Sequence, residues 1–89
     1  MKKGNVILRL RNGMHMRPAG VLAAVAGRYS CSIEIETNGT IINAKSVMML
    51  VSAGIRSGSQ LTVICDGENE TDALAAVCGA IESGLGEAC

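Results

Sequence analysis

Hydrophobic and polar residues alternate along four short segments of the chain, and this period of two predicts four β-strands. The segments are residues 5–10, 32–37, 40–43 and 61–66. Asn38 and Gly39 separate the second segment from the third, and both residues tolerate the positive φ angles of a type I′ turn. The second and third strands are therefore predicted to form an antiparallel hairpin.

A helical period follows residue 15. Val21, Leu22 and Val25 recur at helical spacing among alanines, which predicts a first helix from close to His15 to about Gly27. Pro18 falls in its first turn, where proline is tolerated because the first amides of a helix have no carbonyl partner within it. We interpret Pro18 as the marker of this helix start.

A short second helix is predicted between two capping residues. Ser46 is a favourable N-cap, and Gly54 is a favourable residue just after a helix end, so one or two helical turns are expected between them. The β-branched Val47 and Val51 would also suit an additional strand. We prefer the helix because both caps are in place.

The last helix is predicted to begin at Asn69, with Asp72 three residues later and an acidic first turn that complements the helix dipole. Apolar residues then recur at helical spacing and form one continuous face. They are Leu74, Val77, Cys78, Ile81 and Leu85. Gly79 and Gly84 weaken this helix, so residues 85–89 are expected to fray.

The predicted order of elements is βαββαβα. This order favours an α+β fold, with an antiparallel sheet that carries helices on one face and leaves the other face open. A chain of 89 residues is long enough for one core and too short for two, so residues 1–89 are predicted to form a single domain.

Composition narrows the possible functions. Tyr29 is the sole aromatic residue, which argues against base stacking and hence against nucleic-acid binding. Cysteines stand at positions 31, 65, 78 and 89 without a C-x-x-C pair, so neither zinc nor another cofactor is expected. No secretory signal or membrane-spanning run is present, which leads us to expect a cytoplasmic protein with reduced thiols and no membrane insertion.

Charge is unevenly distributed although the formal net charge is zero. Residues 1–56 carry all eight Lys and Arg and only two acidic residues, whereas the remainder carries six acidic residues and no Lys or Arg. The two parts therefore bear charges of +6 and −6. This asymmetry suits a basic surface that meets acidic partners or anionic groups, although a self-compensating solvated surface would explain it equally well.

His15 is the sole histidine and is predicted to lie at or beside the N-cap of the first helix. Backbone amides and the positive end of the helix dipole favour an anion there, and Arg17 adds a permanent cation with a forked donor. An imidazole in this setting could hold a phosphate or carry it covalently. A capping or surface histidine is the simpler interpretation of the same position.

Two motifs resemble HPr, the histidine-containing phosphocarrier family of the bacterial phosphoenolpyruvate:sugar phosphotransferase system (PTS). Gly13-Met14-His15-Met16-Arg17-Pro18-Ala19 is similar to its active-site motif, and Lys45-Ser46-Val47-Met48 to its regulatory serine motif. The expected glycines follow at positions 54, 58 and 67. The resemblance covers essentially the whole chain and implies an open-faced β-sandwich with sheet order 1-4-2-3 and three helices.

The resemblance also implies roles and partners. His15 would accept a phosphoryl group on Nδ1 from phospho-enzyme I and pass it to enzyme IIA domains, while Arg17 neutralises the phosphoryl oxygens. Ser46 would be the target of an HPr kinase/phosphorylase, with a catabolite-control regulator as a further partner. The expected partner-binding residues are Met16, Gly20, Lys45, Val47, Met48, Met49 and Val51. The protein is expected to be a monomer that catalyses no turnover alone.

Three residues depart from the family pattern. Met16 stands where the family usually has a small residue. Gly20 stands where a hydroxylated or small residue is common, and Met49 where glycine or lysine is frequent. Because of these departures, the chain could instead be a regulatory HPr paralogue in nitrogen-related or catabolite control. A further alternative is an anion-binding module that is never phosphorylated. If the starts of the first two helices are neighbours, Met16, Met48 and Met49 would form a soft apolar patch beside the cationic site, whereas Met14 is expected to fill the core.

Overall fold

The computed structural model describes residues 1–86 and contains four strands and three helices. In chain order these are β1 (Lys2–Ile7), α1 (Met16–Ala26), β2 (Ser32–Thr37), β3 (Thr40–Asn43), α2 (Val47–Ser52), β4 (Gln60–Asp66) and α3 (Glu70–Glu82). The sheet order is β1-β4-β2-β3, and all three pairings are antiparallel. The predicted α+β class, element order and sheet order are confirmed.

One sheet face carries the core and the other is open. Val63 of β4 lies opposite Ile35 of β2, which in turn lies opposite Ile42 of β3, and all three are fully buried beneath the helices. Glu34 and Glu36, which alternate with the inward isoleucines of β2, are exposed on the open face. The core is almost entirely aliphatic, because isoleucine, leucine, valine and alanine fill the space between sheet and helices.

The first strand is displaced from its predicted position. Alternation placed it at residues 5–10, and Leu8 and Leu10 are indeed buried, but β1 spans Lys2–Ile7. It begins early because Lys2 lies opposite Cys65 at the far end of β4. It ends early because Leu8 bonds to the loop before β4, where its amide donates to the Ser59 carbonyl at 2.9 Å.

The local turn and cap signals are confirmed. Asn38 and Gly39 have φ angles of 52° and 76°, as a type I′ hairpin turn requires. Ser46 caps α2, because its Oγ accepts a hydrogen bond from the Met49 amide at 3.2 Å. Gly54 follows the helix at φ 64°. Residues 47–52 therefore form the predicted helix, and the alternative strand is excluded.

The start of α3 is as predicted, but the Asn69 side chain makes no capping hydrogen bond. Asn69 instead adopts a left-handed conformation at φ 60°. The Glu70 side chain instead fixes the turn before the helix, since its Oε1 accepts from the Gly67 amide at 3.1 Å. Its Oε2 lies 2.9 Å from the N-terminal amino group of Met1, an ion pair that ties the beginning of β1 to α3.

The end of α3 corrects the predicted fraying for the part of the tail that the structure describes. The helix stops at Glu82, and Gly84 at φ 91° reverses the chain. The amides of Gly84 and Leu85 then donate to the carbonyls of Ile81 and Ala80, which is a Schellman motif. Leu85 is buried and provides the apolar contact that commonly accompanies a Schellman motif. The remainder of the segment predicted to fray, residues 87–89, lies outside the described part of the chain.

Candidate functional site

His15 is the N-cap of α1. Its backbone is extended, with φ −89° and ψ −173°, and its carbonyl accepts the first helical hydrogen bond from the Ala19 amide at 3.0 Å. The imidazole makes no capping hydrogen bond to the helix, so capping by the side chain does not explain this residue. The side chain is half-buried, which leaves part of it accessible.

The first turn of α1 provides a positive electrostatic environment beside His15. Met16, Arg17 and Pro18 form this turn, which confirms the predicted position of Pro18, and Pro18 is also buried. The first turn of a helix presents its amides and the positive end of the helix dipole outward, which favours an anion there. The turn contains no acidic residue that would offset the helix dipole.

Gly13 holds the loop before His15 close to the segment after α2. Gly13 has φ 71°, and a Cβ built on it would lie 2.6 Å from the Ile55 carbonyl oxygen. The same carbonyl accepts a hydrogen bond from the Met14 amide at 2.9 Å. Met14 is buried, as predicted, and packs in the core. Only glycine combines this backbone conformation with so close an approach.

A surface groove of about 610 Å³ opens beside His15. Residues from two separate segments line it: Arg11, Asn12, Gly13, Met14 and His15, and Val51, Gly54, Ile55, Arg56 and Ser57. The lining contains two guanidinium groups and one imidazole but no carboxylate. Its composition therefore favours an anion. Arg11 and Arg56 were not singled out by sequence reasoning, because no local motif marks them.

The C-terminal end of α2, rather than its start, borders the His15 groove. Val51 and Gly54 line the groove, whereas Ser46, at the other end of the helix, does not. The start of α2 therefore contributes no side chain to this groove. Ser46 is half-buried and serves as the cap of α2.

The predicted partner residues differ in exposure. Met16, Met48 and Met49 are exposed by 62%, 68% and 44%, which is unusual for large apolar side chains. Val47 and Val51 are partly buried against the core. Gly20 is half-buried, with no heavy atom within 4 Å of the place where a Cβ would be. The exposed members are available for contact.

Lys45 already has a structural contact. Its Nζ donates a hydrogen bond to the Tyr29 carbonyl at 2.7 Å, just beyond the C-terminal end of α1. Its own amide is bonded to Asn43 Oδ1 at 2.9 Å. Lys45 therefore links the segment before α2 to the end of α1.

The three cysteines in the described part of the chain are free and largely buried. Cys31 and Cys65 are buried, Cys78 is half-buried, and all three are free. Burial, with a smaller contribution from nearby Cys31, raises the pKa of Cys65 to about 11, and burial also raises the pKa of Cys78. Thiols with raised pKa values remain protonated near neutral pH and react slowly. Cys89 lies outside the described residues.

Within residues 1–86, no cluster of three or more His, Cys, Asp or Glu side chains is arranged to hold a metal ion. None of the helices in that range has the length and apolar character needed to cross a membrane.

The fold and the site define a small open-faced sandwich protein with a histidine at a helix N-terminus. The family described as "PTS HPr component phosphorylation site" matches residues 2–83. The chain therefore belongs to the HPr family, as its motifs indicated.

Relatives include both HPr and HPr-like proteins. The chain is 39% identical over 82 residues to the HPr-like protein Crh of Halalkalibacterium halodurans, covering 92% of this chain and 98% of that protein. HPr from Thermoanaerobacter tengcongensis superposes over the full length of both chains with a TM-score of 0.93 at 31% identity. The structure of Crh from Bacillus subtilis is 32% identical in sequence and superposes with a TM-score of 0.76. The match covers 93% of this chain and 95% of the Crh chain. That Crh is an intertwined, domain-swapped dimer, so the predicted monomeric state gains no support from it.

Proposed function

We propose that this protein, acting as one domain over residues 1–89, is a phosphocarrier that accepts a phosphoryl group on His15 from phospho-enzyme I and transfers it to enzyme IIA domains. The observation that carries this proposal is the position of the imidazole. It is half-buried at the positive end of α1, and it borders a groove lined by cations and by no carboxylate. Membership of the HPr family supports the same role.

In the proposed reaction, the lone pair of His15 Nδ1 attacks the phosphorus of the donor's phosphohistidine. A new P–N bond forms as the donor's P–N bond breaks, and the departing imidazole keeps the bonding electron pair. Transfer to enzyme IIA repeats the step with His15 as the leaving group. Such reactions depend mainly on positioning and on neutralising the phosphoryl oxygens. Arg17 and the first amides of α1 would provide that neutralisation, while Pro18 fixes the helix start.

The partners would dock on the exposed apolar surface formed by Met16, Met48 and Met49. Flexible thioether side chains adapt to different partners, which suits a carrier that must bind both donor and acceptor proteins. Gly20, Val47, Val51 and Lys45 would complete this surface, with Lys45 contributing mainly through its structural contact. The carrier would act in the cytoplasm, where enzyme I and enzyme IIA domains operate.

Regulation through Ser46 is the second candidate function. The relative at 39% identity is an HPr-like protein Crh, and the Crh of B. subtilis is a catabolite repression protein. In a regulatory role, an HPr kinase/phosphorylase would phosphorylate Ser46, and the phosphorylated chain would bind a catabolite-control regulator. A phosphate on Ser46 would lie at a helix N-terminus, where negative charge is stabilising, so the fold would tolerate it.

Intact-mass analysis after two separate incubations tests these roles. Phosphoenolpyruvate with enzyme I should add one acid-labile phosphoryl group to the wild-type chain and none to His15→Ala. Adding an enzyme IIA domain should then remove it. ATP with an HPr kinase should add an acid-stable group that Ser46→Ala cannot accept.

The outcomes separate the candidates. Labelling of Ser46 without labelling of His15 would favour the regulatory function over the carrier function. Labelling of neither residue would leave an anion-binding module that is not phosphorylated. Persistent acid-labile labelling of His15→Ala, with an unchanged circular dichroism spectrum, would refute the assignment of His15.

A further inference from the structure

The groove beside His15 brings a second guanidinium to the acceptor site. We propose that Arg56 binds the incoming phosphoryl group directly and neutralises its oxygens from the groove side, complementing Arg17 on α1. This inference rests on the proposed phosphoryl-acceptor function. Arg17 is not part of the groove lining, whereas Arg56 and His15 are, so the two guanidinium groups belong to different segments of the chain.

The backbone around Arg56 is fixed against the loop that carries His15. The residue before it, Ile55, accepts the Met14 hydrogen bond at 2.9 Å. Arg56 itself is in close contact, because its Cα lies 3.4 Å from the place where a Cβ on Gly13 would be. Its own carbonyl accepts the Ser59 amide at 3.1 Å, which closes the following turn. The Arg56 side chain therefore starts from a rigid position next to the acceptor loop.

The charge of Arg56 is available to the groove. Its side chain is exposed, and within residues 1–86 no ion pair with a carboxylate involves it. Arg11 lines the same groove but belongs to the exposed turn that is closed by the Gly13 amide and the Leu10 carbonyl. With no carboxylate in the lining, an anion in the groove meets only attractive charges. A guanidinium can also bind phosphoryl oxygens in a forked geometry.

The test uses a chemical donor as well as the protein donor. Phosphoramidate, a small anionic compound, phosphorylates histidine without a docked partner, so its rate reports on the acceptor site alone. The rate of His15 labelling is measured for the wild type, Arg56→Gln and Arg56→Lys, with phosphoramidate and with phospho-enzyme I. Arg28→Gln is the matched control, because it removes the same charge just beyond the far end of α1, about 16 Å along the helix axis.

We expect Arg56→Gln to slow labelling by both donors about two- to fivefold at low salt, the range for an exposed charge interaction. Arg56→Lys should restore most of the rate, since it keeps the charge, and Arg28→Gln should equal the wild type. The difference between wild type and Arg56→Gln should disappear at about 1 M salt, where the screening length is about 3 Å. Rescue by lysine and dependence on salt would not follow from a purely structural role.

Each alternative result has a defined meaning. Equal rates for Arg56→Gln and the wild type with phosphoramidate would overturn the inference, and so would a loss confined to phospho-enzyme I, because Arg56 would then act on the partner. Absence of phosphoramidate labelling in the wild type would overturn it too. If phosphoramidate labels His15 and enzyme I does not, the proposed carrier function fails, while the effect of Arg56 on phosphoramidate still decides the inference.

Discussion

Replacing Gly13 with alanine should destabilise the fold and also damage the proposed phosphoryl-acceptor site. Gly13 has φ 71°, and a Cβ there would lie 2.6 Å from the Ile55 carbonyl oxygen. A side chain in the left-handed region costs about 1–2 kcal/mol. Displacing the Ile55 carbonyl would also weaken its hydrogen bond to Met14, which contributes about 0.5–1.5 kcal/mol net. The expected total is about 1.5–3.5 kcal/mol, against about 5–15 kcal/mol for a typical domain, so the variant should still fold.

Gly39→Ala is the matched control for this prediction. Gly39 has φ 76°, but no heavy atom lies within 4 Å of its added Cβ, so it should show the backbone cost alone. Urea denaturation followed by circular dichroism gives both free energies of unfolding, and phosphoramidate gives the rate of His15 labelling. Gly13→Ala should lose about 0.5–1.5 kcal/mol more of the free energy of unfolding than Gly39→Ala. Only in Gly13→Ala should the labelling of His15 be slow. Equal losses with equal labelling rates would refute the role assigned to the close contact with Ile55.

Three further predictions concern the helices. Gly20→Ala and Gly79→Ala should each raise the free energy of unfolding by about 0.5–1 kcal/mol, because both sites are helical with open space, but only Gly20→Ala should alter phosphorylation by enzyme I. Ser46→Ala should cost about 1 kcal/mol through loss of the α2 cap, whereas Ser46→Asp should stay folded, show an unchanged or higher melting temperature and accept phosphate from enzyme I more slowly. The hydrogen-bonded ion pair with the N-terminal amino group lowers the pKa of Glu70 and raises that of the amino group. The ion pair should stabilise the fold fully between pH 4.5, the ordinary pKa of a glutamate, and pH 8.0, the ordinary pKa of an N-terminal amino group. This stabilisation should be lost as the pH falls through the lowered pKa of Glu70, and again as the pH rises through the raised pKa of the amino group. Denaturation of Glu70→Gln across pH should lack the acid transition of this pair and show a weaker alkaline one, because Asp66, 3.6 Å from the amino group, still raises its pKa.

Features encoded by neighbouring residues were predictable from sequence. The Asn38-Gly39 turn and the Ser46 and Gly54 ends of α2 appear where expected, because each depends on local backbone preferences. The ends of β1 and α3 were less predictable. The start of β1 depends on the length of β4, which is distant in sequence. Gly84 was interpreted as weakening α3, whereas it reverses the chain so that Leu85 is buried.

The candidate site shows the same division. His15 and Pro18 could be placed at a helix start from the order of residues alone, and the structure confirms that placement. The groove could not be predicted, because it depends on the bond between Met14 and Ile55, which join segments far apart in sequence. Arg56 enters the site only through that long-range contact, so no motif around it indicates a role.

The bond between Met14 and Ile55 also makes the groove sensitive to partial unfolding. Even a hydrogen-bonded loop opens locally now and then, at a free energy below that of global unfolding. An opening that releases residues 54–58 would leave α1 and His15 intact while removing one wall of the groove. Hydrogen exchange of the Met14 amide would measure the population of this open form. The fraction of molecules able to accept phosphate efficiently would therefore follow a local equilibrium, which a melting curve of the whole protein does not report.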